Sequence, residues 1–345
     1  MTGKKRKAVR SVRYIFLLLA AAFCYYLAVK SFFSLEKNDS VSICLTGNYP
    51  NRAMAEEILK DSREEENPTD ICFYWDGGIR TAENSRLARK SQVLAAGLLG
   101  DASLYSWHCN ALSQDDREGC ILDKKTALQL FGSENCIGST VKLGEKNYQV
   151  RKVVPWTQRV ILFHPTEKDM VFTRVFVRPK NGESQEKAAD CFMMSYGLLG
   201  TLVEDGWLEA VCKIALLFCP AVWTVLFFQF LCVKQEKYVK QKKYVEQNEA
   251  GKHAVAYWLC SAGMLIAAGG LLFLLFRNVR VPAYWLPDRW SDFGFWKRKI
   301  SEEGEKLGWY LILPKTVPQA ERMMQAMRVL GFSAGTFLLS LLFMS

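Results

Sequence analysis

The chain has 345 residues, a formal net charge of +10 and 50% hydrophobic residues. A basic balance can indicate a nucleic-acid partner, but here the cations lie beside long apolar runs. That placement favours anionic lipid headgroups and a cytoplasmic protein partner instead. We therefore expect a membrane protein and no nucleic-acid partner.

Four apolar runs predict membrane-spanning helices. A span needs about twenty apolar residues, because every backbone N–H and C=O must be paired inside the segment. The second and third runs reach this length, whereas the first and last are shorter. We expect spans at 14–33, 207–233, 254–276 and 328–345. The first run predicts an uncleaved signal anchor, since no small-x-small cleavage site follows it.

The distribution of cations predicts the orientation of these helices. The N-terminus 1–13 carries six lysines and arginines and no acid, and the loop 234–253 carries six lysines against three glutamates. Short basic flanks remain in the cytoplasm. We expect a multi-pass protein of the plasma or inner membrane with both termini cytoplasmic. The segments 34–206 and 277–327 then lie outside, although the second is basic, which long translocated loops tolerate.

The insert 34–206 is long enough for one globular domain, and its pattern mixes helices and strands. The fold class that we expect is an α+β extracytoplasmic domain, not a sandwich, inserted between the first and second of four transmembrane α-helices. The predicted strands are Val41–Leu45, Ile71–Trp75, Val160–Phe163 and Val171–Val177. The predicted helices are Asn51–Arg63, 123–131 and Glu186–Leu199. A predicted hairpin joins Val141–Leu143 to Tyr148–Val154 through a four-residue loop.

Cysteine usage leaves the disulfides open. Six cysteines in the insert allow fifteen pairings, and no spacing among them resembles a compact disulfide scaffold. Cys109 and Cys120 are the closest in sequence and would close a short loop.

A motif in residues 119–154 resembles a known family. A helix ends in Ala127-Leu-Gln-Leu-Phe131-Gly132, followed by Asn135-Cys-Ile-Gly138 and by Tyr148-Gln-Val150. This pattern is similar to the outer domain of MacB-like ABC-transporter permeases, in which A-x-x-L-F-G and N-x-I-G precede a hairpin with Y-x-V. The sequence departs from the pattern at Arg151-Lys152, where the family commonly has a glycine.

The physical role of the motif is structural. Phe131 would anchor the end of a helix in the core, and Gly132 would supply the positive φ that ends it. Gly138 permits a tight turn into the hairpin. We expect Ala127, Phe131, Gly132, Gly138 and Tyr148 to build the fold and to contact no ligand.

The resemblance implies an ABC-transporter permease subunit. Such a subunit forms a homo- or heterodimer with a second permease and works with a separate ABC ATPase subunit. The chain has no G-x-x-x-x-G-K-[ST] loop of its own to hold nucleotide phosphates. No pattern of catalytic or zinc-binding residues is evident around its three histidines. We expect no catalysis and no cofactor.

Two segments could make functional contacts. The loop 234–253 combines cations with aromatic residues, which suits docking on the ATPase or resting on anionic lipid. Its candidate contact residues are Lys237, Tyr238, Lys240, Lys243 and Tyr244. The tryptophan-rich segment 281–296 is either an interfacial anchor or a docking surface. After it, Thr316 and Gln319 fit the start of a helix.

An alternative function belongs to another class of protein. The same layout fits a membrane-anchored extracellular sensing or binding protein that works without an ATPase partner. Membrane lipid is a partner under either hypothesis.

Overall fold

A computed structural model describes residues 3–35, 40–167, 170–180, 182–223 and 294–344, together with 262–263, 266, 269–270, 273 and 292. The chain divides into two compact units. The helical unit comprises Met1–Leu35, Gly206–Glu305 and Met323–Ser345, and the β-rich unit comprises Glu36–Asp205 and Lys306–Arg322. The predicted loop 234–253 lies outside the described residues, and so does most of the predicted third span 254–276.

The described helices and strands are as follows in chain order. The helices are α1 (Gly3–Phe33), α2 (Arg52–Glu64), α3 (Lys124–Phe131), α4 (Gln185–Tyr196), α5 (Gly206–Trp223), α6 (Phe295–Ile312) and α7 (Val317–Met344). The strands are β1 (Val41–Leu45), β2 (Ile71–Asn84), β3 (Arg89–Gly100), β4 (Gly119–Asp123), β5 (Thr140–Leu143), β6 (Lys146–Val154), β7 (Val160–Phe163), β8 (Arg174–Val177) and β9 (Gly200–Val203).

Three of these helices are long and apolar enough to cross a membrane: Val12–Phe33 in α1, Gly206–Trp223 in α5 and Val317–Leu342 in α7. Within the helical unit they meet at Trp223. Its ring lies 5.4 Å from that of Tyr25 on α1, and its Nε1–H donates to Ser340 Oγ on α7 at 2.6 Å. Hydrogen bonds of this kind hold helices together where both the lipid and the side chains are apolar.

Helix ends in the β-rich unit follow local capping rules. Asn51 accepts the Met54 N–H before α2, and Asp123 accepts the Thr126 N–H before α3. Helix α3 ends at Gly132, whose φ of 74° is left-handed and costs glycine little. Both helices lie within one residue of the predicted bounds, with Asn51 as the cap of α2 and not its first residue.

The nine strands form one sheet with a closed part. The pairings run β2–β5–β6–β4–β7–β3 and return to β2, which makes a six-stranded ring. From the other end of β2 the sheet continues through β8 and β1 to β9. The long hairpin β2–β3 therefore serves both parts of the sheet. The result is a mixed α and β domain, as the pattern predicted.

Three apolar cores stabilise the β-rich unit. One joins the ring strands to α3 through residues such as Leu122, Leu130 and Tyr148. Another packs α2 and α4 on β1 and β8. The third surrounds Tyr105, which is fully buried and stacks on Tyr74 with ring centroids 5.4 Å apart.

Several predicted elements differ from the structure. Strand β2 runs nine residues past Trp75, to Asn84, where charged and polar residues hid the strand pattern. Strands β3, β4 and β9 were not predicted individually. The hairpin between β5 and β6 turns through Gly144 and Glu145 alone, since Leu143 pairs with Lys146, so the four-residue loop was wrong.

The described cysteines are all free. Cys109 and Cys120 are both buried and lie in different apolar cores, so the bridge considered between them is not formed.

Candidate coupling site at the start of the last helix

Helix α7 begins inside the β-rich unit. Gln319 reaches back so that its Oε1 accepts the Thr316 N–H at 3.1 Å, which is one half of a capping box. The helix therefore starts at Val317, eleven residues before the predicted span 328–345. Residues Val317–Arg322 belong to the β-rich unit, and the rest of α7 belongs to the helical unit.

The first turn of α7 completes an apolar core. Val317 is 1% exposed and belongs to the core around Tyr105, with Trp156 and Phe176. These partners come from much earlier in the chain. The core of the β-rich unit is thus closed by a segment that follows the predicted insert 34–206.

Arg174, at the start of β8, binds the beginning of the same helix. It is only 3% exposed, and its guanidinium donates to Gln319 Oε1 at 3.1 Å and to the carbonyl of Pro314. Gln319 Nε2 in turn donates to Ser42 Oγ on β1 at 3.4 Å. Two strands therefore hold the cap of α7 through buried hydrogen bonds, which are costly to leave unmade.

Glu321 binds the turn between β6 and β7. Its carboxylate accepts the backbone N–H of Thr157, the backbone N–H of Gln158 at 3.2 Å and the Thr157 hydroxyl at 2.9 Å. Hydrogen bonds to an ionised acceptor are stronger than bonds between neutral groups. This one side chain orders the turn.

Arg322 forms an ion pair with Asp205. The arginine side chain is 5% exposed and the aspartate side chain 18%. Burial raises the pKa of the Asp205 carboxyl, and the guanidinium of Arg322 opposes that rise. Asp205 is the residue directly before α5, and both partners of the ion pair belong to the β-rich unit.

The end of α6 is bound to the same unit. Lys306 pairs with Glu186 at 2.6 Å and with Glu204 at 3.7 Å. Tyr310 is 2% exposed, and burial raises its pKa to about 12. Lys315 donates to carbonyls at the end of α6, where a cation is favoured by the helix dipole.

The side chains of this site hold the first turns of α7 in place. These side chains, from Arg174 to Arg322, bind one another and the backbone through buried hydrogen bonds and ion pairs. An arrangement of this kind can carry a displacement between elements that are far apart in sequence.

Comparisons with known proteins give structural neighbours. No family model matches the chain, and no curated protein matches it. The extracellular domain of the noncanonical ABC-type transporter YknZ from Gram-positive bacteria matches with a TM-score of 0.35 and 11% identity, over 47% of this chain and 97% of that one. The periplasmic region of MacB from Actinobacillus actinomycetemcomitans matches with a TM-score of 0.40 and 9% identity. This match covers 52% of this chain and 94% of that one.

The structural neighbours are MacB-like periplasmic domains. With TM-scores of 0.35 and 0.40, these matches carry no argument about this chain, so its function is proposed from its own residues.

The motif residues lie on α3, in the turns that follow it and on β6. Ala127 is fully buried, Phe131 packs partly buried against the same core, and the Tyr148 ring lies 5.0 Å from that of Phe163. The Gly138 N–H donates to the Val150 carbonyl at 2.8 Å, and Gly138 has a positive φ of 83°. Together with Gly132, these residues shape the fold.

Arg151, where the sequence departs from the MacB-like pattern, occupies a bulge in β6. Cys120 pairs with Val150 and Ile121 with Lys152, which leaves Arg151 as the extra residue. Its guanidinium binds Asp116 at 2.6 Å. This ion pair lowers the pKa of the Asp116 carboxyl, mainly through the hydrogen bond from Arg151.

The remaining predicted site residues are not placed. Lys237, Tyr238, Lys240, Lys243 and Tyr244 lie outside the described residues. Sequence reasoning found the cap formed by Thr316 and Gln319 but missed Arg174, Asp205 and Glu321. The one signal for them was the presence of Glu321 and Arg322 shortly before an apolar run, where charged residues need partners.

Proposed function

We propose that this chain is the permease subunit of an ABC transporter. It would dimerise with itself or with a related permease, and a separate ATPase subunit would dock on the loop 234–253. The observation that carries the proposal lies within the β-rich unit: the first turns of the apolar helix α7 are bound there through Arg174, Glu321 and Arg322. The family in this proposal is based on the resemblance of residues 119–154 to MacB-like permeases.

The geometry suits the transmission of force. Helix α7 has 28 residues, which corresponds to a length of about 42 Å. A helix is stiff along its axis, so a shift of its membrane-spanning part displaces the turns that Glu321 and Arg322 hold. The ion pair from Arg322 to Asp205 adds the connection to α5. Closure of an ATPase dimer would in this way reshape the β-rich unit, either to move a substrate or to transmit force alone.

The cytoplasmic part of the proposal comes from the sequence. Lys237, Lys240 and Lys243 would steer the encounter with the ATPase, and Tyr238 and Tyr244 would anchor it. The positive charge of this loop and of the N-terminus 1–13 also supports cytoplasmic termini and an extracytoplasmic β-rich unit.

The proposal can be tested by co-purification. The tagged chain is expressed in its native host and solubilised, and both co-purification of an ABC ATPase subunit and ATP hydrolysis are measured. We expect the triple change of Lys237, Lys240 and Lys243 to Glu to abolish co-purification. The matched control changes the exposed Lys60, Lys124 and Lys187 to Glu, which alters charge equally within the β-rich unit and should leave binding intact.

The second candidate function is a membrane-anchored sensing or binding protein. The buried contacts of the first turns of α7 fit such a protein as well, because a stiff helix can transmit a displacement in either direction. Failure to recover any ATPase, with activity unchanged in the triple glutamate variant, would reject the permease proposal and favour this alternative.

A further inference from the structure

His164 lies between two carbonyl groups in the β-rich unit. It follows β7 directly and is 2% exposed. Its Nδ1 lies 2.5 Å from the carbonyl oxygen of Leu98 on β3, and its Nε2 lies 2.7 Å from the carbonyl oxygen of Ser113. Ser113 begins the segment 113–118 before β4, which we call the acidic loop. The imidazole of His164 therefore bridges the acidic loop and the ring of strands.

Both contacts of His164 require a proton on the ring nitrogen concerned. A carbonyl oxygen only accepts hydrogen bonds, and a neutral imidazole has one N–H to donate. An imidazolium has two, one on each nitrogen. In the neutral form, one nitrogen would present its lone pair to the lone pairs of a carbonyl oxygen. Only the doubly protonated ring satisfies both contacts.

The charges of the acidic loop favour the second proton. Burial opposes it, because a buried charge loses contact with water. The loop has three acids, Asp115, Asp116 and Glu118, against one arginine, and nearby negative charge favours a cation. Other titratable or charged groups on the described elements around it are Arg117 in the loop, Arg63 bound to Gln114, Arg151 bound to Asp116, Asp101 bound to Arg178, Glu167 bound to Arg80, and the buried Cys120 and Tyr74.

The partners that could compete with an imidazole keep their charge state near neutral pH. Burial raises the pKa of the Cys120 thiol and of the Tyr74 phenol, so both stay neutral. The hydrogen bond from Arg151 lowers the pKa of the Asp116 carboxyl, so it stays ionised. Imidazoles are the side chains that ordinarily gain or lose charge between pH 5 and 8. A change of pH in this range therefore acts on the contacts of His164.

We propose that His164 is a pH-sensitive clasp, which holds the acidic loop on the ring of strands with two hydrogen bonds when its imidazole is doubly protonated and with one when it is neutral. The clasp is complete in mild acid and loosens as the pH rises. The ion pair between Asp116 and Arg151 in the same loop has the opposite dependence, because it is lost in acid. The clasp lies within the β-rich unit and requires no ATPase partner.

Hydrogen exchange in the full-length chain tests the clasp. Amide exchange in 113–118 is measured in nanodiscs at about pH 5.5 and about pH 8.5, and each rate is divided by the intrinsic rate at that pH. The Asp116 N–H, which donates to the Ser113 carbonyl at 3.0 Å, is the reporter. We expect several-fold greater protection at the lower pH. His164→Gln should remove this difference, and the matched control His108→Gln should keep it.

NMR of the native chain with isotope-labelled histidine gives a readout that does not depend on the folding of His164→Gln. The signals of the other two histidines are identified by their disappearance in His108→Gln and His253→Gln. We expect both ring nitrogens of His164 to be protonated in mild acid and one of them to lose its proton as the pH rises.

Three results would overturn the proposal. The first is equal protection of 113–118 at the two pH values in the native chain. The second is a pH difference that persists in His164→Gln. The third is a single ring proton on His164 at both pH values, which would mean that one of the two carbonyl groups is never bound.

Discussion

Glu321, near the start of α7, accepts a hydrogen bond from the hydroxyl of Thr157 at 2.9 Å, across 164 residues of sequence. The same carboxylate accepts the backbone N–H groups of Thr157 and Gln158. The first turns of α7 are thereby bound to the turn between β6 and β7. The mechanical proposal depends on contacts of this type.

Removing the Glu321 carboxylate should loosen that turn. Glu321→Ala leaves two backbone donors in a partly buried turn without their acceptor, and the penalty of about 1–3 kcal/mol for buried groups is the upper limit of the loss. We expect amide hydrogen exchange in residues 156–160 to become up to roughly tenfold faster, since 1.4 kcal/mol is a factor of ten. Glu305→Ala, an exposed change on α6, is the control. Unchanged exchange in 156–160 would contradict the assigned role.

The ion pair between Arg322 and Asp205 should show strong coupling. Removing either partner leaves an unpaired charge in a largely buried site. The loss of unfolding free energy in each single variant, Arg322→Met or Asp205→Asn, should therefore exceed half of the loss in the double variant. A double-mutant cycle by thermal unfolding in nanodiscs should give a coupling of about 1–3 kcal/mol.

The exposed pair between Arg298 and Asp292 provides the control for this cycle. Its side chains are 63% and 42% exposed, so its coupling should be near the 0–1 kcal/mol typical of surface pairs. Equal coupling for the two pairs would mean that the buried one has no special role.

Acid should weaken the bulge in β6. The pKa of Asp116 is lowered by Arg151, so the ion pair stabilises the fold above the usual carboxyl range and is lost as pH falls through the lowered value. Arg151→Gln should therefore reduce the melting temperature at neutral pH. The difference from the native chain should shrink towards zero in acid. A difference that stays constant with pH would refute this.

Alanine in place of two glycines should have opposite effects. Gly132 has a φ of 74°, where a Cβ is strained, so Gly132→Ala should destabilise the β-rich unit by about 1 kcal/mol. Gly304 lies inside α6 with open space around a built Cβ, so Gly304→Ala should stabilise that helix by a similar amount. Thermal unfolding of the two variants, with the native chain as reference, checks both signs.

Thiol labelling should reveal the topology. Cys191 is exposed on α4, whereas Cys109 is fully buried. A membrane-impermeant maleimide should label Cys191 in intact cells, and Cys191→Ser should remove that label. Cys109 should react only after unfolding. Labelling of Cys191 that requires permeabilised cells would place the β-rich unit on the cytoplasmic side.

The sequence by itself determined the features that depend on neighbouring residues. Apolar runs indicate the spans, because a bilayer requires each span to satisfy its own backbone. Capping residues such as Asp123, Gly132 and the pair Thr316 and Gln319 set helix ends, because a cap acts within one turn. Their local chemistry can be read without knowledge of the fold.

Only the tertiary structure decided how distant segments meet. The pairs Glu321–Thr157 and Arg322–Asp205 join residues more than a hundred positions apart. The ring closes through β2 and β3, and charged residues mask the strand pattern of β2. No local pattern encodes which distant partner satisfies a buried charge, because that depends on where the whole chain brings its backbone. For this reason the sequence predicted a domain at 34–206 alone, whereas the β-rich unit of the structure joins Glu36–Asp205 to Lys306–Arg322.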